Sequence, residues 1–302
     1  MAAYNHAGYV SQAILSVLAQ SWENLELIVV DDGSTDHTRE VVAGFDDPRV
    51  RYIYQENSGP AAARNRGIHA ARSEWVALLD SDDVWTLDHL ARMTAAINAT
   101  AGAANFYFAD AILPPEKGSG SLWESLAFKI GGDYQLVADG ANWVMMDTQP
   151  MMLQSTVFKR SALLECGGFL SALHYSEDTH MFIRLGVVGP ICAVAGIGVH
   201  MSGDDDPANR LTLSYERTAR IFYMKVIMHQ DLLMRLPEDL APGVRRTLRK
   251  RLAIAHWSLA RAAWLERNWA EFARRAGQSA RLEPRLFMTR LLAILIRQVI
   301  NR

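Results

Sequence analysis

Short apolar runs alternate with helically spaced segments through the first hundred residues. Leu25 to Asp31 (LELIVVD) is rich in Val, Ile and Leu and ends in a Gly-Ser-Thr-Asp turn. Thr38 to Phe45 has helical spacing, Val50 to Gln55 predicts a strand, and Pro60 to Ala71 a helix. Trp75 to Asp80 predicts another strand and Leu87 to Ala99 another helix. Apolar strands interleaved with helices imply an α/β fold with a mostly parallel sheet flanked by helices. In such sheets ligands collect at the carboxyl ends of the strands. Two acidic clusters fall at such ends, Asp31-Asp32 and Asp80-Ser81-Asp82-Asp83.

The pattern then loosens. Residues 110 to 150 carry Pro114-Pro115, a Gly-Ser-Gly run, Gly131-Gly132 and scattered aromatics. Trp123, Phe128, Tyr134 and Trp143 need burial or a ligand, so this is a loop-rich insertion and not a linker. Met152 to Phe158 predicts a strand, Arg160 to Cys166 a short helix stopped by Gly167-Gly168, Asp178 to Leu185 a helix, and Ile191 to Ala195 a strand. From about Leu213 everything has helical character, with breaks expected near Pro237, Pro242 and Pro284. Ala255 to Leu282 sets small and aromatic residues at three- and four-residue spacing, like one unit of a helical repeat without a second copy. The organisation expected is a domain over 1–212 and a helical region over 213–302.

Half of the 302 residues are apolar, enough for a full core. Two cysteines, Cys166 and Cys192, cannot make a disulfide framework and fit a reducing, cytoplasmic compartment. The opening residues are polar and turn-like, unlike a secretory signal, and no uninterrupted apolar stretch is long enough to span a membrane. Charge is split unevenly. From Gly243 to Arg302 there are 14 Lys and Arg against 3 Asp and Glu, so the last sixty residues carry +11 and the remainder −13 of the net −2. A basic appendage of this kind either meets an acidic surface such as a membrane or is a solvated helix pair.

The sharpest chemistry lies in LLDSDDVW, residues 78 to 85. Asp80 and Asp82, two positions apart, offer hard oxygen ligands to Mg²⁺ or Mn²⁺ with positions left open for phosphate oxygens. The alternative is an Asp-rich turn capping the next helix.

The surrounding motifs extend this picture. LIVVDDGSTDHT lies about fifty residues upstream, QENSGPAAARNRGI lies between, and AAYNHAGY opens the chain. MLQSTVFKRSALLECGGF, SEDTHMFIRLG and GIGVHMSG follow. In this order and spacing the chain resembles the inverting glycosyltransferases of family 2, which have the GT-A fold, over roughly residues 2 to 203. The resemblance implies a nucleoside diphosphate sugar donor, most naturally UDP-linked, and a saccharide or glycolipid hydroxyl acceptor. Polysaccharide, lipopolysaccharide or glycolipid assembly at the cytoplasmic face of the membrane is the setting it implies. Tyr4 would lie against the base, Asp32 would accept from the base N–H, and Asp31 would secure the loop. Arg64 would reach the base or the phosphates, or be a surface helix arginine. Asp82 would be the primary metal ligand, Asp80 the secondary one on the donor side, and His200 a third contributor or a structural histidine. Asp178, of the Glu177-Asp178 pair, would be the catalytic base, a role compatible with complementing the helix dipole.

Two features depart from that pattern. The family has an apolar strand directly before the AYN-like motif, and Met1 stands where it would end, so an apolar strand is expected upstream. The basic helices match no motif, although RLFMTRLLAILIRQVINR interleaves apolar residues with arginines as a peripheral helix on an anionic bilayer does. Two competing readings remain. DSDDV fits a haloacid-dehalogenase-like phosphatase with Asp80 as nucleophile, and the chain could be a non-catalytic nucleotide-sugar-fold protein. Nothing points to nucleic acid.

Overall fold

The computed structural model describes residues 1–114, 120–202, 219–238 and 242–300, with backbone alone at 242 and 293–300. The chain divides into two compact units, Met1–Asp205 and Asp206–Arg302. The expected boundary at 212/213 lies outside the described residues.

The first unit begins with β1 (Ala2–Ala3), α1 (Val10–Leu18), β2 (Leu27–Asp32), α2 (Thr38–Ala43), β3 (Val50–Gln55) and α3 (Pro60–Ala70). These strands form a small parallel sheet in the order β1-β2-β3, with Ala2 opposite Val30 and Leu27 opposite Val50. All six residues of β2 are buried, as a strand covered on both faces requires. α3 starts cleanly because Gly59 takes φ +87° and Pro60 stands at the first helical position, where its missing N–H is no loss.

β4 (Trp75–Ala77), β5 (Val84–Trp85), α4 (His89–Ala99), β6 (Phe106–Ile112), α5 (Leu122–Leu126), β7 (Tyr134–Val137) and α6 (Ala141–Val144) follow. β8 (Thr156–Lys159), α7 (Arg160–Glu165), α8 (Glu177–Gly186) and β9 (Ile191–His200) complete the unit. The second sheet runs β4-β8-β6-β9-β5, with β7 also paired to β9. The parallel pairing expected from strand–helix alternation holds in the first sheet and between β6 and β9. The β4–β8, β6–β8, β5–β9 and β7–β9 pairs are antiparallel, so the second sheet is mixed.

β6 is the centre of this sheet and was not evident in the sequence pattern. Tyr107 and Ala109 pack with Met93, Ala96 and Ile97 of α4 on one face. Phe106 and Phe108 face the other way, onto Phe158, Phe182, Trp123, Phe128 and Trp143, with ring centroids 5.3 to 6.2 Å apart. Of the insertion's aromatics Trp123 is therefore core, Phe128 and Trp143 are half-buried against it, and Tyr134 keeps 39% exposure. Each fully buried ring contributes about 2 to 3 kcal/mol of apolar burial. β9 runs to His200, beyond the expected end at Ala195, because bulges at Ala195–Gly196 and Gly198 reset its register against β6.

His89 is buried under Trp85, with ring centroids 5.1 Å apart, and neither of its ring nitrogens has a hydrogen-bond partner. Burial and the nearby Arg92 charge push its pKa down to about 3. The unfolded chain therefore takes up a proton first, and stability falls as pH drops from about 6.5 toward 3. In urea titrations His89→Leu should remove up to about 1.4 kcal/mol per pH unit from that acid slope. An unchanged slope would show that other groups carry it.

The second unit is helical over its described residues: α9 (Ala219–Arg235), α10 (Pro242–Leu265), α11 (Trp269–Leu282) and α12 (Pro284–Ile300). Val226 of α9 packs with Leu252, Ala255 and Leu259 of α10. Ala255–Leu282 belongs to a helix pair, as its spacing predicts, and the turn falls at Arg267, in the left-handed region at φ 59°, after which Asn268 caps α11 by accepting from the Glu271 N–H. Hydrogen bonds from Arg274 and Arg275 hold Glu271 down to about 2. Among the described residues no helix is long and apolar enough to cross a membrane.

Candidate active site

The carboxyl ends of β1, β2 and β4 converge on a cluster of interlocked turns. Asn5, at φ 53°, directs its N–H to Ser34 Oγ (2.9 Å) and accepts from the Thr35 N–H (2.8 Å). The His6 and Ala7 N–H groups bond Thr38 Oγ1 and Asp36 Oδ2, both at 3.0 Å. His6 Nδ1 also lies 2.6 Å from the hydroxyl of Ser81, between the two carboxylates of the DSD motif. Tyr4, beside this turn, keeps 47% exposure, and Tyr54, opposite Asp31 on β3, keeps 54%. Their rings are open to an aromatic partner.

Asp31 is buried and accepts from the Ser34 N–H (2.8 Å) and the Tyr52 hydroxyl (2.5 Å). Burial and that carboxylate raise the Tyr52 phenol far above its ordinary range. Asp32 is buried too. Its Oδ1 accepts from Gln55 Nε2 (2.6 Å) and the Ser58 N–H (2.9 Å), and its Oδ2 from the Gly59 N–H (2.8 Å). Asp32 thus fastens the loop that leads into α3, the kind of work expected of its neighbour. Gly33, at φ +80°, sits where a Cβ would meet the Asn57 backbone nitrogen at 2.7 Å, so only glycine fits.

Arg64 is the hub of the site. Its side chain is 9% exposed and lies between two carboxylates, with Nη2 2.8 Å from Asp80 Oδ1 and Nη1 2.6 Å from Glu177 Oε1. The guanidinium also stands 5.8 Å from the Phe169 ring centroid. It is turned onto the protein's own acids and not outward toward a donor, as the resemblance implied. The second Asp80 oxygen accepts from Gln154 Nε2 at 2.6 Å. Gln154 is in turn fixed by its carbonyl, which accepts from Trp85 Nε1 at 2.6 Å. Burial would raise Asp80, but the Arg64 charge and the Arg64 and Gln154 hydrogen bonds hold it below the usual carboxylate range. With both Asp80 oxygens engaged, it is poorly prepared as a second metal ligand.

The rest of the DSDD turn divides its work. Asp83 is buried and accepts from the Ser202 N–H at 2.9 Å, while the Asp82 carbonyl accepts from the Ser202 hydroxyl. The Asp82 side chain is half-buried. His200 is exposed and pairs with Val84, two residues after Asp82, so the extended β9 brings it alongside the acidic turn. Among the described residues no three His, Cys, Asp or Glu side chains converge as a metal cage.

Asp178 stands in the first turn of α8, beside Glu177 and behind Ser176 at φ 61°. Its Oδ1 accepts from the Thr179 N–H at 2.6 Å. Burial first, and then the neighbouring Glu177 charge, push its pKa up to about 6. Arg64 therefore connects the DSD turn to the Glu177-Asp178 pair, 113 residues apart in sequence from Arg64 to Glu177.

Residues 1–141 match the family model described as Glycosyl transferase family 2. They form a family 2 glycosyl transferase domain. The domain is similar to the succinoglycan biosynthesis protein ExoO of Rhizobium meliloti, 51% identical over 104 residues, 34% of this chain and 30% of that one. The putative teichuronic acid biosynthesis glycosyltransferase TuaG of Bacillus subtilis is 44% identical over 90 residues, 29% of this chain and 36% of that one. The matched stretch thus spans about a third of these curated relatives. Among solved structures, S. aureus TarS 1-349 in complex with UDP-GlcNAc aligns with a TM-score of 0.69 at 16% identity, over 95% of this chain and 81% of that one. The mannosyltransferase PcManGT from Pyrobaculum calidifontis, in complex with GDP-Man and Mn²⁺, aligns with a TM-score of 0.59 at 17% identity, over 99% and 79%. At these identities the likeness is one of fold, and the fold of the family 2 domain is of the GT-A type. Glu177, Asp178 and His200 lie beyond the matched 141 residues.

Sequence reasoning missed Gln154 and His6. A lone Gln after a run of methionines carries no signal. His6 does sit inside the AYNHAGY motif, but only the fold brings it to Ser81.

Proposed function

We propose that this protein transfers a sugar from a nucleoside diphosphate donor, preferentially UDP-linked, onto a hydroxyl acceptor with inversion, using Asp178 as general base. The observation that supports this best is the Arg64 bridge, which draws Asp80 and the Glu177-Asp178 pair into one connected site. The ionised Asp178 carboxylate removes the proton from the acceptor hydroxyl as that oxygen bonds the anomeric carbon. The bond from that carbon to the diphosphate oxygen breaks on the opposite face, and its electron pair leaves with the nucleotide. Attack opposite the leaving group inverts the centre. Arg64 keeps Glu177 and Asp80 in place and leaves Asp178 as the carboxylate that accepts the proton. Tyr4 offers its open ring to the nucleotide base, while Asp31 and Asp32 hold the loops around it.

The donors present fit a divalent cation shared with a diphosphate better than a closed cage. Such ions take one or two carboxylates and fill their remaining positions with phosphate oxygens and water. Asp82 and the neighbouring His200 would hold Mg²⁺ or Mn²⁺ here, with Asp80 behind them. When bound, the ion acts as a Lewis acid toward the departing diphosphate.

The names of the relatives, succinoglycan and teichuronic acid biosynthesis, support a saccharide or glycolipid acceptor in envelope polysaccharide assembly. The +11 charge of residues 243–302, with Met288 and Leu292 half-exposed on α12, supports peripheral contact with an anionic membrane from the cytoplasmic side. A phosphatase reading is disfavoured by Asp80, whose two oxygens are bound by Arg64 and Gln154 and so are poorly placed as a nucleophile.

Thermal shift against a panel of nucleotide sugars, with and without Mn²⁺, tests the reading. A UDP-sugar should raise the melting temperature of the wild type, more so with Mn²⁺, and Asp82→Ala should lose the metal-dependent part. No shift with any donor would overturn it.

A further inference from the structure

His6 lies at the mouth of the first sheet, and the proposed mechanism gives it no role. Its backbone is fixed, with the His6 and Ala7 N–H groups bonded to Thr38 Oγ1 and Asp36 Oδ2 at 3.0 Å. Its ring is fixed as well. Ser81 Oγ stands 2.6 Å from Nδ1, and the Tyr9 ring meets the imidazole edge-on with centroids 5.8 Å apart. Ser81 is 2% exposed, and its hydroxyl has no other partner among the described residues. A buried hydroxyl that accepted from Nδ1 would leave its own proton without an acceptor. Ser81 therefore donates to Nδ1, and the neutral imidazole carries its proton on Nε2.

Nε2 is on the far side of the ring from Ser81. It has no partner among the described residues and is not one of the buried unpartnered atoms, so it opens to solvent. Ser81 separates Asp80 from Asp82, and the outward N–H thus stands beside the acidic turn. A diphosphate arriving there meets the carboxylates of Asp36 and Asp82, while the buried Arg64 is committed to Asp80 and Glu177. A fixed N–H that meets a phosphate oxygen makes a charge-assisted bond, stronger than a neutral one. A protonated Nε2 has no lone pair to give, so His6 is a hydrogen-bond donor and not a further metal ligand beside Asp82.

We infer that His6 Nε2–H donates a hydrogen bond to a phosphate oxygen of the nucleoside diphosphate, with Ser81 setting the tautomer and the aim of the ring. This role rests on the donor being a nucleoside diphosphate sugar, as proposed above. It gives the middle residue of the DSD turn a task of its own. Ser81 directs His6, while Asp80 is held by Arg64 and Gln154.

Amide substitutions separate the two ring nitrogens. Asn places its side-chain amide where Nδ1 stands, and Gln where Nε2 stands. Calorimetric titration with UDP in the presence of Mn²⁺, and with uridine as the phosphate-free control, is read on the wild type, His6→Asn and His6→Gln. His6→Gln should stay within about threefold of the wild type for UDP, and His6→Asn should bind UDP about tenfold more weakly. Uridine binding should be the same in all three. Melting temperature should move the other way, since Asn keeps the Ser81 bond and Gln loses it. Ser81→Ala frees the ring to turn, and should weaken UDP by less than His6→Asn does.

A His6 that only anchors its turn predicts the reverse order, with Asn the better substitute. That order, or equal UDP affinity in the two variants, would overturn the inference. Titration with Mn²⁺ alone should not distinguish His6→Asn from the wild type; lost Mn²⁺ binding would make His6 a metal ligand and overturn the inference too. A wild type that binds no UDP would overturn the proposed donor along with it, whereas a wild type that binds UDP beside two equal variants would overturn the role of His6 alone.

Discussion

Asp178→Asn should bind donor as the wild type does and transfer sugar about 10² to 10⁴ times more slowly, the usual range for a lost general base. The residue sits in the first turn of α8, and its substitute keeps the same shape. Folding and nucleotide affinity therefore serve as internal controls. Because burial and Glu177 push Asp178 up to about 6, the wild-type pH profile carries its signature. A base works only when ionised, so kcat/KM should be flat above about pH 7 and fall close to tenfold per unit below 6. Removing the neighbouring negative charge in Glu177→Gln should move that limb to lower pH, since Glu177 is one of the causes of the upward shift. An Asn variant with wild-type turnover would remove Asp178 from the mechanism. An acid limb unmoved by Glu177→Gln would assign the limb to another group.

Arg64→Met should strongly destabilise the first unit. It leaves the carboxylates of Asp80 and Glu177 facing each other without a cation, in a setting where each was 27% and 14% exposed. Breaking a buried pair by deleting one partner costs about 3 to 5 kcal/mol, because the remaining charge is stranded. Two stranded acids place this substitution at the upper end of that range. Adding Asp80→Asn to Arg64→Met should recover a part of the loss, as one of the stranded charges is then neutral. Urea unfolding of the three proteins measures this directly. A cost below about 1 kcal/mol for the single variant would mean that the bridge is solvated and not structural. Arg64→Lys tests geometry separately, since a single ammonium cannot present two forks to two carboxylates.

The parts of the molecule that could be read from sequence are those whose signal is local. The β-branched run LIVV announces the buried strand β2, and Gly59-Pro60 marks a helix start through its own stereochemistry. The two acidic clusters announced themselves by following apolar strands. β6 escaped because FYFADAI is buried on both faces, so it lacks the alternation that betrays a half-exposed strand. The position of the turn inside the expected helix pair, at Arg267, was hidden for a different reason. A left-handed residue usually advertises itself as glycine, and here it is an arginine, leaving only the Asn268-to-Glu271 capping pattern as a clue. The site divides in the same way. Asp80, Asp82 and Asp178 could be named from their motifs, but the partners of Arg64 lie 16 and 113 residues away. Only tertiary packing could turn that arginine inward, and only tertiary packing could supply Gln154.

The turns at the mouth of the first sheet bear on how the protein meets its ligand. Residues 5 to 7 are tied to residues 34 to 38 by four backbone N–H bonds to or from side chains, and His6 is pinned to Ser81 as well. Three strand ends therefore share one rigid rim. A nucleotide settling there has little loop freedom to quench, so its affinity should come with a small ordering penalty, and association should resemble docking onto a finished surface more than closure around a guest.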